Sequence, residues 1–153
     1  MTRSVFVLNG PNLNMLGRRE PHLYGHTTLT EIEEQCATVA EELGLEMFFA
    51  QTSDEAKLID WVHEACMRPA AIVINPAGLS FTSVALIDAL KILDQPIIEV
   101  HITNIFKREP IYHTSLVSRV ATGMVCGWGA FGYQSGLRAI ANHYQMLDRI
   151  GQQ

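Results

Sequence analysis

Glu99-Val100-His101 sets a carboxylate and an imidazole two positions apart at the end of an apolar run. On a strand, side chains at that spacing project to the same face. A carboxylate beside an imidazole fixes its tautomer and raises its basicity, which suits a general acid working near neutral pH. The alternative reading is a histidine satisfied structurally at a strand end. A second constellation lies in the polar, glycine-bounded stretch Gly17-Arg18-Arg19-Glu20-Pro21-His22-Leu23-Tyr24-Gly25, where a phenol is within reach of guanidinium charge. A free phenol ionises near pH ~10, so forming the anion at neutral pH costs roughly 4 kcal/mol. Adjacent positive charge in a water-poor site can offset much of that, which would make Tyr24 an activated base. The stretch fits a mobile lid, and equally a solvated connection whose arginines serve solubility. Asn12 and Asn75 follow or end apolar runs, where an amide either anchors a developing oxyanion or substrate hydroxyl or simply makes a turn.

Such groups act together only if the chain brings them to one place. Residues 5–8, 45–50, 70–74, 96–100 and 120–126 read as strands, each nearly continuous in apolar side chains. Between them, residues 29–43, 54–66, 82–93 and 131–148 read as helices. Thr28 and Glu31 have the spacing of a capping box, Gly44 stops the first of these helices, and Ser53 is a candidate cap for the second. The stretch 104–118 reads mostly as loop. Buried strands alternating with helices predict an α/β fold: a flavodoxin-like three-layer sandwich with a five-stranded parallel sheet in the order 2-1-3-4-5. No linker or repeat divides the chain, so one domain is expected over residues 1–153. In this strand order a crevice opens at the carboxyl ends of strands 1 and 3, next to strand 4. Asn12, Asn75, Glu99 and His101 all fall there.

Composition narrows the function classes. The 153 residues carry a net charge of −5 and no Lys/Arg cluster, which argues against a nucleic-acid binder. A hydrophobic content of 48% against 18% charged excludes disorder and fits a compact domain acting on a small molecule. Cys36, Cys66 and Cys126 are odd in number and widely spaced, as expected of reduced, buried thiols in a cytoplasmic protein. His63 and Cys66 have H-x-x-C spacing, but no second pair accompanies them and no metal is expected. Gly127-Trp128-Gly129-Ala130-Phe131-Gly132 satisfies G-x-G-x-x-G, yet it follows the last strand rather than the first. Its glycines are therefore read as letting the final helix pack closely, not as a dinucleotide cradle. The amino terminus lacks the features of a signal peptide, and no apolar stretch is long enough to cross a membrane.

Taken together, these residues closely resemble the type II 3-dehydroquinate dehydratases. The resemblance rests on Leu8-Asn9-Gly10-Pro11-Asn12-Leu13-Asn14, on Arg19-Glu20-Pro21 with Tyr24-Gly25, and on Thr82-Ser83-Val84-Ala85 with Asp88. Ile98-Glu99-Val100-His101-Ile102-Thr103-Asn104 and Ala121-Thr122-Gly123 continue it over nearly the whole chain. It implies dehydration of 3-dehydroquinate to 3-dehydroshikimate in the shikimate or quinate pathway, through an enolate and without a cofactor. By the same resemblance, Tyr24 with help from Arg19 is the base, Asn12 holds a water at the enolate oxygen, and His101 oriented by Glu99 is the acid. Asn75, Ile102 and Thr103 seat the substrate, the last two at its carboxylate. A homo-oligomer is implied as well, trimers gathered into a dodecamer, with Asp88 reaching a neighbour's site.

Two positions depart from the family's pattern. Phe81 stands where the family has a histidine, and Tyr112 where it has an arginine. Those family residues help to hold ring hydroxyls, and neither replacement reproduces their hydrogen bonding. The departures leave open a related dehydratase acting on a different β-hydroxy ketone ring. A non-catalytic paralogue binding a small carboxylate is a third reading, against which the retention of Arg19, Tyr24, Glu99 and His101 speaks.

Overall fold

The computed structural model describes residues 2–152, so both end residues of the expected domain lie outside the described residues. Five strands, β1 (Arg3–Asn9), β2 (Leu45–Gln51), β3 (Ala71–Asn75), β4 (Ile97–His101) and β5 (Gly123–Cys126), form one sheet. All pairings are parallel and the order is β2-β1-β3-β4-β5, as the alternation of elements predicts. Five helices accompany them: α1 (Pro21–Tyr24), α2 (Leu29–Glu42), α3 (Glu55–Met67), α4 (Val84–Leu90) and α5 (Phe131–Ile150).

Successive strand residues point to opposite faces, and each face builds its own core. Val5, Val7, Val73, Ile98 and Val100 pack against α2 and α5 through Ile32, Cys36, Tyr133 and Leu137. Phe6, Leu8, Ile72, Ile74 and Ile97 pack against α3 and α4 through Leu58, Val62, Leu86 and Leu90. The same parity sorts the polar residues at the strand ends. Asn9 and Asn75 continue the α2/α5 face, whereas Glu99 and His101 continue the α3/α4 face. The crevice thus draws functional groups from both sides of the sheet.

Local signals explain most boundaries. The capping box at α2 forms as the spacing implies: Thr28 Oγ1 accepts from Glu31 N–H, and Glu31 accepts from Thr28 N–H. Several expectations shift. Asp54, not Ser53, caps α3, because its carboxylate accepts from Ala56 N–H at 3.0 Å. The helix expected over 82–93 shortens to α4, since the Ser83 hydroxyl takes the Leu86 N–H and a 3-10 turn, Ala77–Phe81, comes before it. β5 begins at Gly123 rather than at residue 120, and α5 runs to Ile150. The glycine-bounded stretch 17–25 contains the short helix α1, with Pro21 at its first turn.

Of the three glycines in the G-x-G-x-x-G stretch only Gly132 serves close packing of α5, joined by Gly136 beyond the motif, whereas a Cβ on Gly129 would meet nothing within 4 Å. A Cβ on Gly132 would lie 3.2 Å from Val100 Cγ1, and one on Gly136 would lie 3.1 Å from Val73 Cγ1, so bare glycines let α5 settle onto the sheet. Of the three free cysteines only Cys36 is buried, and burial, with the charge of Glu33 adding, pushes its thiol up to about 12. Cys66 and Cys126 are half-buried, which corrects the expectation of three buried thiols. His63 is exposed and joins no metal-ligating group among the described residues. Among the described residues no helix is long and apolar enough to cross a membrane.

One close approach fixes the crevice floor. Gly10 N–H donates to Asn75 C=O at 2.9 Å, and a Cβ on Gly10 would sit 2.3 Å from Pro76 O. The loops leaving β1 and β3 are therefore in backbone contact. Gly10→Ala should force them apart, lowering stability by about 1–3 kcal/mol in urea denaturation; an unchanged midpoint would show that the loops part freely.

Candidate active site

The strand ends and the loops beyond them enclose a pocket of about 230 Å³ that includes Asn12, Arg19, Tyr24, Asn75, His101 and Thr103. That is slightly below the roughly 300–1,000 Å³ of drug-sized ligand sites, so it suits a small molecule. Non-glycine residues held at positive φ border it: Asn12 at 71° just past β1 and Ala77 at 52° just past β3. Such conformations cost on the order of 1–3 kcal/mol and persist where the surroundings over-determine them.

On one side stands the phenol of Tyr24, the last residue of α1. The Arg19 guanidinium lies over its ring face, 4.4 Å from the centroid. The hydroxyl itself receives a hydrogen bond from Arg108 Nη1 at 3.0 Å. Sequence reasoning named Arg19 and passed over Arg108, which comes from the irregular chain after β4. Only the isolated Lys107-Arg108 pair in a mixed loop could have pointed to it. None of the ion pairs among the described residues involves either arginine.

Opposite stands His101, 4% exposed at the end of β4, with Nε2 2.5 Å from Glu99 Oε2. Their spacing puts both on one face, as expected. Glu99 is wholly buried, and Ser115 Oγ and Ser118 Oγ each donate to it at 2.5 Å. Burial alone would raise its carboxyl, but the hydrogen bond and positive charge of His101, with the two serine hydroxyls, outweigh that. The group is held below its ordinary value of 4.5. The serines were missed in the sequence because they lie in a stretch without periodicity.

Asn75 belongs to a third arrangement, buried on the α2/α5 face. The Asn9 amide donates to Ala50 C=O at 3.1 Å, and its Oδ1 accepts from the Tyr133 hydroxyl at 2.7 Å. That hydroxyl accepts from Asn75 Nδ2 at 3.0 Å, and Asn75 Oδ1 accepts from Ala77 N–H at 3.2 Å. A carbonyl at one end and an N–H at the other dictate every donor between them. Asn75 is left offering an N–H to the pocket. Burial pushes the Tyr133 phenol well up, so it stays a donor.

Ile102 and Thr103 also line the pocket. The Ile102 carbonyl accepts from Gly129 N–H at 3.0 Å, so across the trans peptide the Thr103 N–H points the other way. Asp88 is the one expected site residue not brought here. It is exposed on α4, facing Lys91 at 3.6 Å, because within a single chain α4 packs its opposite side onto the sheet. Phe81 and Tyr112 add an aromatic portion to the wall, beside Leu13 and Ile105.

A hydrogen-bonded phenol facing a carboxylate-backed imidazole across a small polar pocket can remove a proton from one position of a bound ring and deliver one to another. Similar proteins agree in kind. Residues 3–141 match the family model described as dehydroquinase class II. The chain is 51% identical over 145 residues to 3-dehydroquinate dehydratase 2 of Pseudomonas aeruginosa, an alignment spanning 95% of this chain and 98% of that protein. It is 48% identical over 152 residues to the 3-dehydroquinate dehydratase of Brucella abortus, spanning 99% and 97%. The crystal structure of a type II dehydroquinase from Propionibacterium acnes superposes with a TM-score of 0.90 at 43% identity, covering 93% of this chain and 98% of that one.

The Glu99 cluster predicts an acid dependence. Because the native carboxyl titrates below its unfolded value near 4.5, its contribution is fully present above that value and is lost as pH falls through the lower native one. Urea unfolding of wild type and Glu99→Gln should differ most at pH 7, and the gap should narrow as pH falls below 4.5. A gap that stays constant down to pH 3 would show that the ionised carboxylate is not what the cluster holds.

Proposed function

The chain belongs to the class II dehydroquinase family, and on that premise we propose that it is a hydro-lyase converting 3-dehydroquinate to 3-dehydroshikimate in the shikimate pathway. The observation that carries the reading is the placement of Tyr24, hydrogen-bonded by Arg108, and of Glu99-backed His101 in one pocket. Neither a different ring substrate nor a non-catalytic role draws support from the relatives.

The reaction removes water from a β-hydroxy ketone in two proton movements. Tyr24, as phenolate, takes the proton from the carbon between the ketone and the hydroxyl-bearing carbon. The C–H electron pair becomes the enolate double bond, and the carbonyl oxygen takes the negative charge. Asn12 holds a water against that oxygen. The enolate then collapses, the ketone re-forms, and the carbon–oxygen bond to the hydroxyl breaks as His101 donates a proton to the leaving oxygen. With Nε2 given to Glu99, Nδ1 is the ring nitrogen that faces this task. Tyr24 ends protonated and His101 deprotonated, so one proton returns to His101, and one leaves Tyr24, before the next turnover. Neither movement needs a metal or cofactor.

The Asn75 amide and the backbone of Ile102 and Thr103 seat the substrate, the N–H of Thr103 suiting a carboxylate. Arg19 keeps positive charge over the Tyr24 ring. We extend the proposal to assembly as trimers within a dodecamer, in which Asp88 of one copy enters the pocket of the next. Val84 lies one turn before Asp88 and is 63% exposed, an apolar neighbour suited to a subunit contact. Free cysteines fit a cytoplasmic setting.

Mixing the protein with 3-dehydroquinate should produce the ultraviolet absorbance of a conjugated enone, at about 1–10³ turnovers per second. Tyr24→Phe should abolish this while leaving ligand binding largely intact; normal turnover would remove Tyr24 as the base. In His101→Ala, loss of the hydroxyl should slow more than solvent exchange of the α-proton. Equal slowing of both would assign His101 another task.

A further inference from the structure

Two aromatic rings occupy part of the pocket where neither proton movement uses them. Phe81 ends the Ala77–Phe81 turn, and Tyr112 ends another 3-10 turn, Pro110–Tyr112. The Tyr112 ring face lies 3.8 Å from the Arg108 guanidinium carbon, the same guanidinium whose Nη1 donates to Tyr24. Phe81 meets the Tyr112 ring edge-on, with centroids 5.4 Å apart at 79°, and stacks beside His101 at 6.1 Å. The contacts run without a break from the phenol of Tyr24 to the imidazole of His101.

The chemistry of this arrangement is specific. A guanidinium on a long stem must be held if it is to meet one oxygen, and the usual holder is a carboxylate. A carboxylate would take the in-plane N–H groups and cancel the charge that the phenolate needs. An aromatic face grips the flat side of the cation, leaving its in-plane donors and its charge available. The Arg108 backbone is fixed separately, for His113 Nε2 lies 2.6 Å from its carbonyl.

We propose that Tyr112, propped by Phe81, is a positioning residue that holds Arg108 against Tyr24 without neutralising it. The proposal rests on Tyr24 being the base. The charged and titratable groups that share a pocket with that phenol are Arg108, Lys107 and Tyr112 from the chain after β4, Arg19 from the chain before α1, and His101 at the end of β4; His22 shares α1 with it.

The test is steady-state kinetics on the full chain with 3-dehydroquinate, across pH. Tyr112→Phe keeps the ring face and should keep kcat within about twofold. Tyr112→Leu should lower kcat roughly 3- to 30-fold and move the acidic limb of the kcat profile to higher pH, with KM changed less. Phe81→Leu, which removes only the prop, should give a weaker form of the same change, and it keeps the test open if Tyr112→Leu folds poorly. In an Arg108→Ala background, Tyr112→Leu should add little. Wild-type kcat and pH limb in folded Tyr112→Leu overturns the proposal, as does an effect confined to KM, a full additive loss on Arg108→Ala, or an equal loss in Tyr112→Phe. Tyr24→Phe separates the two levels: if it is inactive while Tyr112→Leu is normal, only the positioning role falls, whereas an active Tyr24→Phe removes the base assignment itself.

Discussion

One buried negative charge organises this site. Glu99 has no solvent exposure, and a carboxylate removed from water must find donors within the protein or cease to be charged. Its three donors come from two directions: His101 from the same strand, Ser115 and Ser118 from the long irregular chain that follows it. Satisfying the charge therefore draws residues 102–122 back over the end of β4. That stretch, which consists of turns and short 3-10 segments, also carries Arg108 and Tyr112. The acid side of the pocket and the support for its phenol are thus consequences of the same folding constraint.

The second organising feature is the sheet itself. Parallel order sends every strand's carboxyl end to one edge, and the reversal of strand order between β1 and β3 opens the crevice there. Close packing of α5, permitted by Gly132 and Gly136, brings Tyr133 down to the two asparagines at that edge. A motif that looks like a nucleotide cradle is used instead to deliver a phenol to a strand end.

What could be read from the residues was whatever local periodicity encodes. Buried strands, the α2 capping box and the Glu99–His101 pair follow from spacing within a few residues, and the strand order from the alternation of strands and helices along the chain; all were legible. Arg108, Ser115 and Ser118 were not, because their roles depend on where an aperiodic loop returns in space. Asn9 and Tyr133 lie 124 positions apart and meet through helix–sheet packing, which no local pattern announces. Ser53 was mistaken for a cap because a neighbouring carboxylate, Asp54, reaches the same N–H groups. Asp88 was named from resemblance alone, and within one chain it faces solvent.

The hydrogen-bond chain from Ala50 through Asn9, Tyr133 and Asn75 to Ala77 has a direction, set at both ends by backbone groups that cannot exchange roles. Reversing any one amide would oppose donor to donor at its neighbour, so the whole row is locked into a single protonic state. Asn75 therefore meets a ligand with an unvarying partial positive charge. Such a group cannot follow the redistribution of electrons during a reaction. It contributes alike to ground state and transition state, a grip on the molecule rather than a push on its chemistry. Adaptable charge is left to the other face, where a guanidinium rests on a ring and an imidazole on a carboxylate.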